Sequence, residues 1–104
     1  AMTTPISIAL RDVADEIGVA PEVLAEALAL GAVEPAVAAR RLEECTALWR
    51  RIAPRFGMRA EAWRWAVADV LPGFAGRTAL DLVREGRLRE ALAAVDAVDA
   101  GVYA

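Results

Sequence analysis

Histidine, lysine, asparagine and glutamine are all missing from this 104-residue chain, and each absence removes a kind of chemistry. Without histidine, the common zinc sites and the Ser–His or Cys–His pairs of acyl transfer lose their central member. Without lysine there is no side-chain amine for Schiff-base catalysis. Without asparagine or glutamine there is no side-chain amide for bidentate reading of a base edge. Carboxylates remain for acid–base work, but Asp and Glu are scattered beside arginines along helical faces, as on solvated surfaces. No catalytic residue, metal site or cofactor is expected, and the chain reads as a non-enzyme.

Other scarcities bound the setting. The single cysteine, Cys45, has no partner for an internal disulfide, which fits a reducing, cytoplasmic compartment. No run of about eighteen uninterrupted apolar residues offers a membrane span. The amino terminus lacks the basic-then-apolar order of a secretory signal, and Ala1 ahead of Met2 reads as an expression scar. β-Branched runs bounded by turn residues are missing too. What is abundant is alanine, about a quarter of the chain, and alanine is the strongest helix former. The expectation is an all-α, compact bundle of about five to six short helices, one domain with a modest core.

Charge is unevenly placed around the net value of −3. Residues 1–39 hold one arginine against six acids, residues 40–64 seven arginines against three acids, and the remainder four arginines against six acids. The middle is therefore a basic island: Arg40, Arg41, Arg50, Arg51, Arg55, Arg59 and Arg64. It reads first as a solvated helix face, with Arg40 and Arg41 at helical pair spacing from Glu43 and Glu44. Protein binding and nucleic-acid binding are the alternatives.

Ile6, Leu10, Val13 and Ile17 mark one side of a first helix that Gly18 ends. A second is expected from Pro21 to about Leu30, stopped by Gly31. A third carries Ala38, Leu42, Cys45, Trp49, Ile52 and Phe56 in a four–three rhythm until Pro54 interrupts it. A fourth, Arg59 to Leu71, places Trp63, Val67 and Val70 on one side. Trp49 and Trp63 are expected in the core, and Trp65, two residues on from Trp63, off that face and open to a partner. Cys45 reads as a small buried hydrophobe.

The segment 71–104 is the most informative. Thr78 followed three residues later by Asp81 has the spacing of a helix amino terminus, and an acid there is favoured by the helix dipole. Gly86 permits the positive backbone angle that separates this helix from the next. Leu88, Leu92, Val95 and Val98 form one face of a last helix, ended by Gly101 and followed by Val102, Tyr103 and Ala104.

Gly76, Thr78, Leu80, Asp81, Leu82, Gly86, Gly101, Val102 and Tyr103, in that order and spacing, resemble the toxin-binding domain of the Xre/MbcA/ParS antitoxin family. The likeness covers roughly the last third of the chain. Ala79 stands where the family usually has proline. The resemblance implies a degenerate Xre or helix-turn-helix-like region over residues 2–58 and a toxin-binding region over 59–104, within one compact unit. It implies a cognate RES-type toxin that consumes NAD or transfers its ADP-ribosyl group, with Gly101, Val102, Tyr103 and Ala104 occluding the toxin's cleft. Arg77, Arg84 and Arg87 are candidates for contacts beside that cleft, and serve equally well as surface solubilisers.

Many members of that family also carry a DNA-reading helix-turn-helix. Val13, Ala14, Ile17, Gly18, Val19 and Leu24 suit its packing positions. The outward residues of its second helix, Ala20, Pro21, Glu22, Ala25, Glu26 and Ala29, offer neither a basic group nor an amide, so DNA binding alone is expected to be weak. A small DNA-binding regulator and an orphan helical interaction module are the alternative readings. A homodimer is compatible with each.

Overall fold

The structure, a computed structural model, describes residues 6–99. Six α-helices follow one another among these residues: α1 (Ile6–Ile17), α2 (Pro21–Ala27), α3 (Pro35–Ile52), α4 (Arg59–Ala68), α5 (Ala79–Arg84) and α6 (Leu88–Asp99). Two single 3-10 turns, Leu30–Ala32 and Ala53–Arg55, flank α3. No strand occurs among the described residues, and the fold is all-α. None of the described helices is long and apolar enough to cross a membrane.

The longest helix, α3, is the axis. Its buried residues Ala38, Leu42, Cys45, Leu48, Trp49 and Ile52 follow the four–three rhythm of the sequence and end where Pro54 turns the chain into the second 3-10 turn. α1 packs on α2 and α3, while α5 and α6 pack on each other and on α3. The proposed 2–58 and 59–104 regions therefore share one continuous core. Seven of its twenty-one residues are alanines, so many of the helix contacts are close, small-residue contacts. The large contributions come from side chains such as Leu48, Ile52 and Leu82, each stabilising by about 1.5–3 kcal/mol through burial.

Local sequence explains most helix ends. Gly18, at φ 92°, closes α1, its amide donating to the Ala14 carbonyl at 2.7 Å. Pro21 and Pro35 occupy first turns, where no amide hydrogen is needed. At the end of α2 the expectation fails. The helix stops at Ala27, and the left-handed residue is Ala29, at φ 54°, not Gly31. The cause is tertiary: Arg41 of α3 donates through Nη1 to the carbonyls of Leu28 at 2.7 Å and Ala29 at 3.3 Å. Arg41 is thus spent on a helix end, and it forms no ion pair with an acid of its own helix.

Two apolar faces also differ from expectation. α4 ends at Ala68 and not at Leu71, and it faces the core with Ala62 and Ala66. Val67 and Val70 are exposed, and Trp63 and Trp65 are both half-buried. The core side of α6 is Ala91, Ala94 and Val95, flanked by half-buried Leu88 and Leu92, whereas Val98 is exposed. In both helices alanines are buried on the core side, with half-buried bulkier residues such as Trp63, Trp65, Leu88 and Leu92 beside them.

Candidate partner-binding site

Between α4 and α5 the chain makes a tight loop. Val70 and Thr78 form an isolated antiparallel bridge, and the Leu71 amide donates to the Arg77 carbonyl at 2.8 Å. Two successive turns lie inside it, Phe74 N–H to Leu71 carbonyl at 3.3 Å and Arg77 N–H to Phe74 carbonyl at 3.2 Å. Gly73, Ala75 and Gly76 all have positive φ. A Cβ on Gly76 would meet nothing within 4 Å, so its φ of 84°, not crowding, is what favours glycine there.

The loop delivers Thr78 as the cap of α5. Its hydroxyl accepts from the Asp81 amide at 3.2 Å, and its own amide donates to Asp81 Oδ2 at 2.9 Å, a reciprocal capping box. That backbone hydrogen bond, with the charges of Arg84 and Arg77, holds the Asp81 carboxyl below its ordinary pKa. Thr78 itself is buried. At the other end of α5, Gly86 has φ 76°. Its amide donates to the Val83 carbonyl at 3.0 Å, and the Arg87 amide to the Leu82 carbonyl at 2.8 Å. These two bonds make a Schellman ending. Gly76, Thr78, Asp81 and Gly86 thus form a turn–cap–helix–turn unit, as their spacing suggests.

The three candidate arginines fasten this unit. Arg77 Nε bonds both Glu85 oxygens, at 2.9 and 2.7 Å, and its Nη1 reaches the Phe74 carbonyl at 3.3 Å. Arg87 bonds Glu85 at 3.0 Å and Glu90 at 2.7 and 3.0 Å, with its guanidinium 5.7 Å from the Phe74 ring centroid. Arg84 pairs with Asp81 and donates to the Ala27 carbonyl at 2.9 Å. Hydrogen bonds from Arg77 and Arg87 lower the Glu85 pKa, and those from Arg87 lower that of Glu90. The same pairing raises the pKa of Arg87. Sequence reasoning missed Glu85, Glu90 and Phe74 as partners. Only Arg87 and Glu90, at i,i+3 spacing across the start of α6, carried a legible signal. Gly101, Val102, Tyr103 and Ala104 lie outside the described residues.

The basic island does not form a free stripe. Arg50 makes a bidentate pair with Glu16 at 2.9 and 3.0 Å, which lowers the Glu16 pKa. Arg51 bonds Asp96 at 2.6 Å, and Arg59 and Arg41 are bound to backbone carbonyls. On α2 the exposed charges are Glu22 and Glu26. No group of acids and cysteine able to hold a metal occurs among the described residues. Burial raises the Cys45 thiol to about 12, far from the range of a reactive thiolate.

A helical bundle with a capped turn unit between α4 and α6 is the class of protein defined by this geometry. Comparison of the chain with known protein families, curated proteins and solved structures finds no match.

Proposed function

We propose that this chain is an antitoxin of the Xre/MbcA/ParS kind, which binds and neutralises a RES-type toxin that consumes NAD or transfers its ADP-ribosyl group. The observation that carries the reading is the turn–cap–helix–turn unit. Four of the nine residues that bear the family resemblance, Gly76, Thr78, Asp81 and Gly86, meet its conformational demands. In this reading the unit is a rigid platform. Residues 101–104 are assigned the role of occluding the toxin's dinucleotide cleft, and this chain contributes no catalysis.

Arg77, Arg84 and Arg87 then act in two ways. Their internal bonds hold the platform, and their side chains, 38%, 40% and 33% exposed, leave outer edges for contacts beside the cleft. Holding them in place beforehand reduces the ordering cost of binding. The DNA-regulator reading is disfavoured by the internal engagement of Arg41, Arg50, Arg51 and Arg59 and by the acids exposed on α2.

The test is co-expression with the RES-type gene adjacent to this one, co-purification, and an NAD-consumption assay. A stable complex with suppressed NAD loss is expected, with NAD loss restored when residues 101–104 are deleted. Full inhibition by the truncated chain overturns the occlusion mechanism. Absence of any complex, or of such a neighbouring gene, overturns the antitoxin reading in favour of an orphan module or a regulator. A salt-dependent DNA titration separates those two.

A further inference from the structure

α6 runs beside α3 in the same direction. A Cβ on Gly86, just before α6, would stand 4.0 Å from the Arg40 guanidinium, and further along Arg51 bonds Asp96. Both helices therefore finish at one end of the bundle, where the second 3-10 turn follows α3. At that end lies a cavity of about 160 Å³ lined by Ile52, Arg55, Phe56, Trp65, Val95 and Val98. Five of these six residues are apolar, whereas three other grooves on the surface each present at least two charged side chains. Phe56 and Trp65 are packed together with ring centroids 6.2 Å apart. Val98 is 43% exposed. An apolar cavity of about 150 Å³ is large enough to hold a benzene ring.

The chain supplies such a ring at this place. Val98 belongs to the last turn of α6, and Tyr103 stands five positions beyond it, a span of at most about 18 Å. Gly101 comes between them, and a glycine just past a helix can turn the chain back along the helix flank through a left-handed conformation. We propose that the Tyr103 ring docks in this cavity of its own chain, against Phe56, Trp65 and Val98. Tyrosine suits the lining, with an apolar body for the aromatic and aliphatic walls and a hydroxyl for the side of exposed Arg55. The short tether favours this ring over any occupant arriving from solution, because it holds the ring at high effective concentration. One consequence rests on the antitoxin reading: the ring assigned to occlude the toxin is sheltered in the free chain, and capture requires its release. The docking itself needs no toxin.

Nuclear Overhauser spectroscopy of the purified full chain, without toxin, tests the docking. The sequence holds a single tyrosine, so the ring signals are unambiguous. Cross-peaks from the Tyr103 ring to the Val95 and Val98 methyls and to the Trp65 ring are expected, and they should persist on dilution. Val98→Lys removes one wall of the cavity at an exposed position, with a charge that a helix carboxyl end favours. It should abolish the cross-peaks and move the Tyr103 shifts to those of an unstructured peptide, while circular dichroism verifies the fold. Tyr103→Ala should shift the Phe56, Trp65 and Val95 resonances and leave those of α1 and α2 in place. A Tyr103 ring with unstructured-peptide shifts in the parent chain overturns the proposal. Cross-peaks that arise only between differently labelled copies also overturn it, since they seat the ring on a second chain. Because no toxin is present, a failed docking and a failed antitoxin assignment are read in separate experiments.

Discussion

Arg59, the first residue of α4, closes the carboxyl end of α1. Its Nη1 donates to the carbonyls of Asp15 at 3.1 Å and Glu16 at 3.2 Å, and a Cβ on Gly18 would stand 3.0 Å from its Cζ. The start of α4 is thus joined to the end of α1 by one side chain that satisfies helix-terminal acceptors.

Gly18→Ala is therefore doubly costly. Alanine at φ 92° is strained by about 1–2 kcal/mol, and the new methyl crowds the Arg59 guanidinium, which must shift slightly and loosen its bonds to the Asp15 and Glu16 carbonyls. Arg59→Ala alone is expected to cost about 1 kcal/mol, the net worth of an exposed charged donor on a backbone acceptor. Urea unfolding of the two single variants and the double variant checks the link. The double variant should lose less than the sum, because part of the Gly18→Ala penalty is the displacement of Arg59. Strict additivity would place Arg59 elsewhere.

The capping box makes a separate prediction. Thr78→Ala is expected to destabilise by about 1–2 kcal/mol, the usual worth of a threonine cap. Asp81 adds a pH signature. Its folded pKa is depressed, so the stabilisation it provides is complete above the ordinary aspartate pKa of about 3.9 and is lost as pH falls through the lower folded value. The stability gap between the parent chain and Asp81→Asn should be full at neutral pH and close in strong acid. Denaturant titrations across that range test the sign, and a gap that widens on acidification contradicts it.

Cys45 should behave as a reporter of unfolding. With its thiol raised to about 12, roughly one molecule in ten thousand carries a thiolate at pH 8. Labelling by an aromatic disulfide reagent should be slow in native buffer and fast in denaturing urea. Rapid stoichiometric labelling of the native chain would mean that α3 does not bury the residue.

The architecture was legible wherever a local cue dictated a local outcome. Gly18, Pro54, Thr78 with Asp81, and Gly86 each mark a backbone event that neighbouring residues alone determine. The α3 stripe was legible for a related reason, since a long helix surrounded by others must bury its periodic face. Legibility failed where a distant residue decided. Arg41 ends α2 from across the bundle, so Ala29 takes a left-handed conformation that its own sequence gave no reason to expect. The faces of α4 and α6 were misplaced because size was read as burial, whereas alanine lies against neighbouring helices. At the candidate site the turn and cap residues were readable, and the acidic partners of Arg77 were not, because a separation of eight residues across a turn has no periodic signature.

α5 is six residues long, with Ala79, Leu80, Leu82 and Val83 all buried. A helix this short has no independent stability in water, so it exists only while α3, α4 and α6 surround it. The capped unit therefore cannot open by itself, and it appears and disappears with the whole bundle. If the chain acts as the proposed antitoxin, a protease that breaches the bundle dissolves the capped unit in the same event, and inhibition ends as a step rather than by degrees.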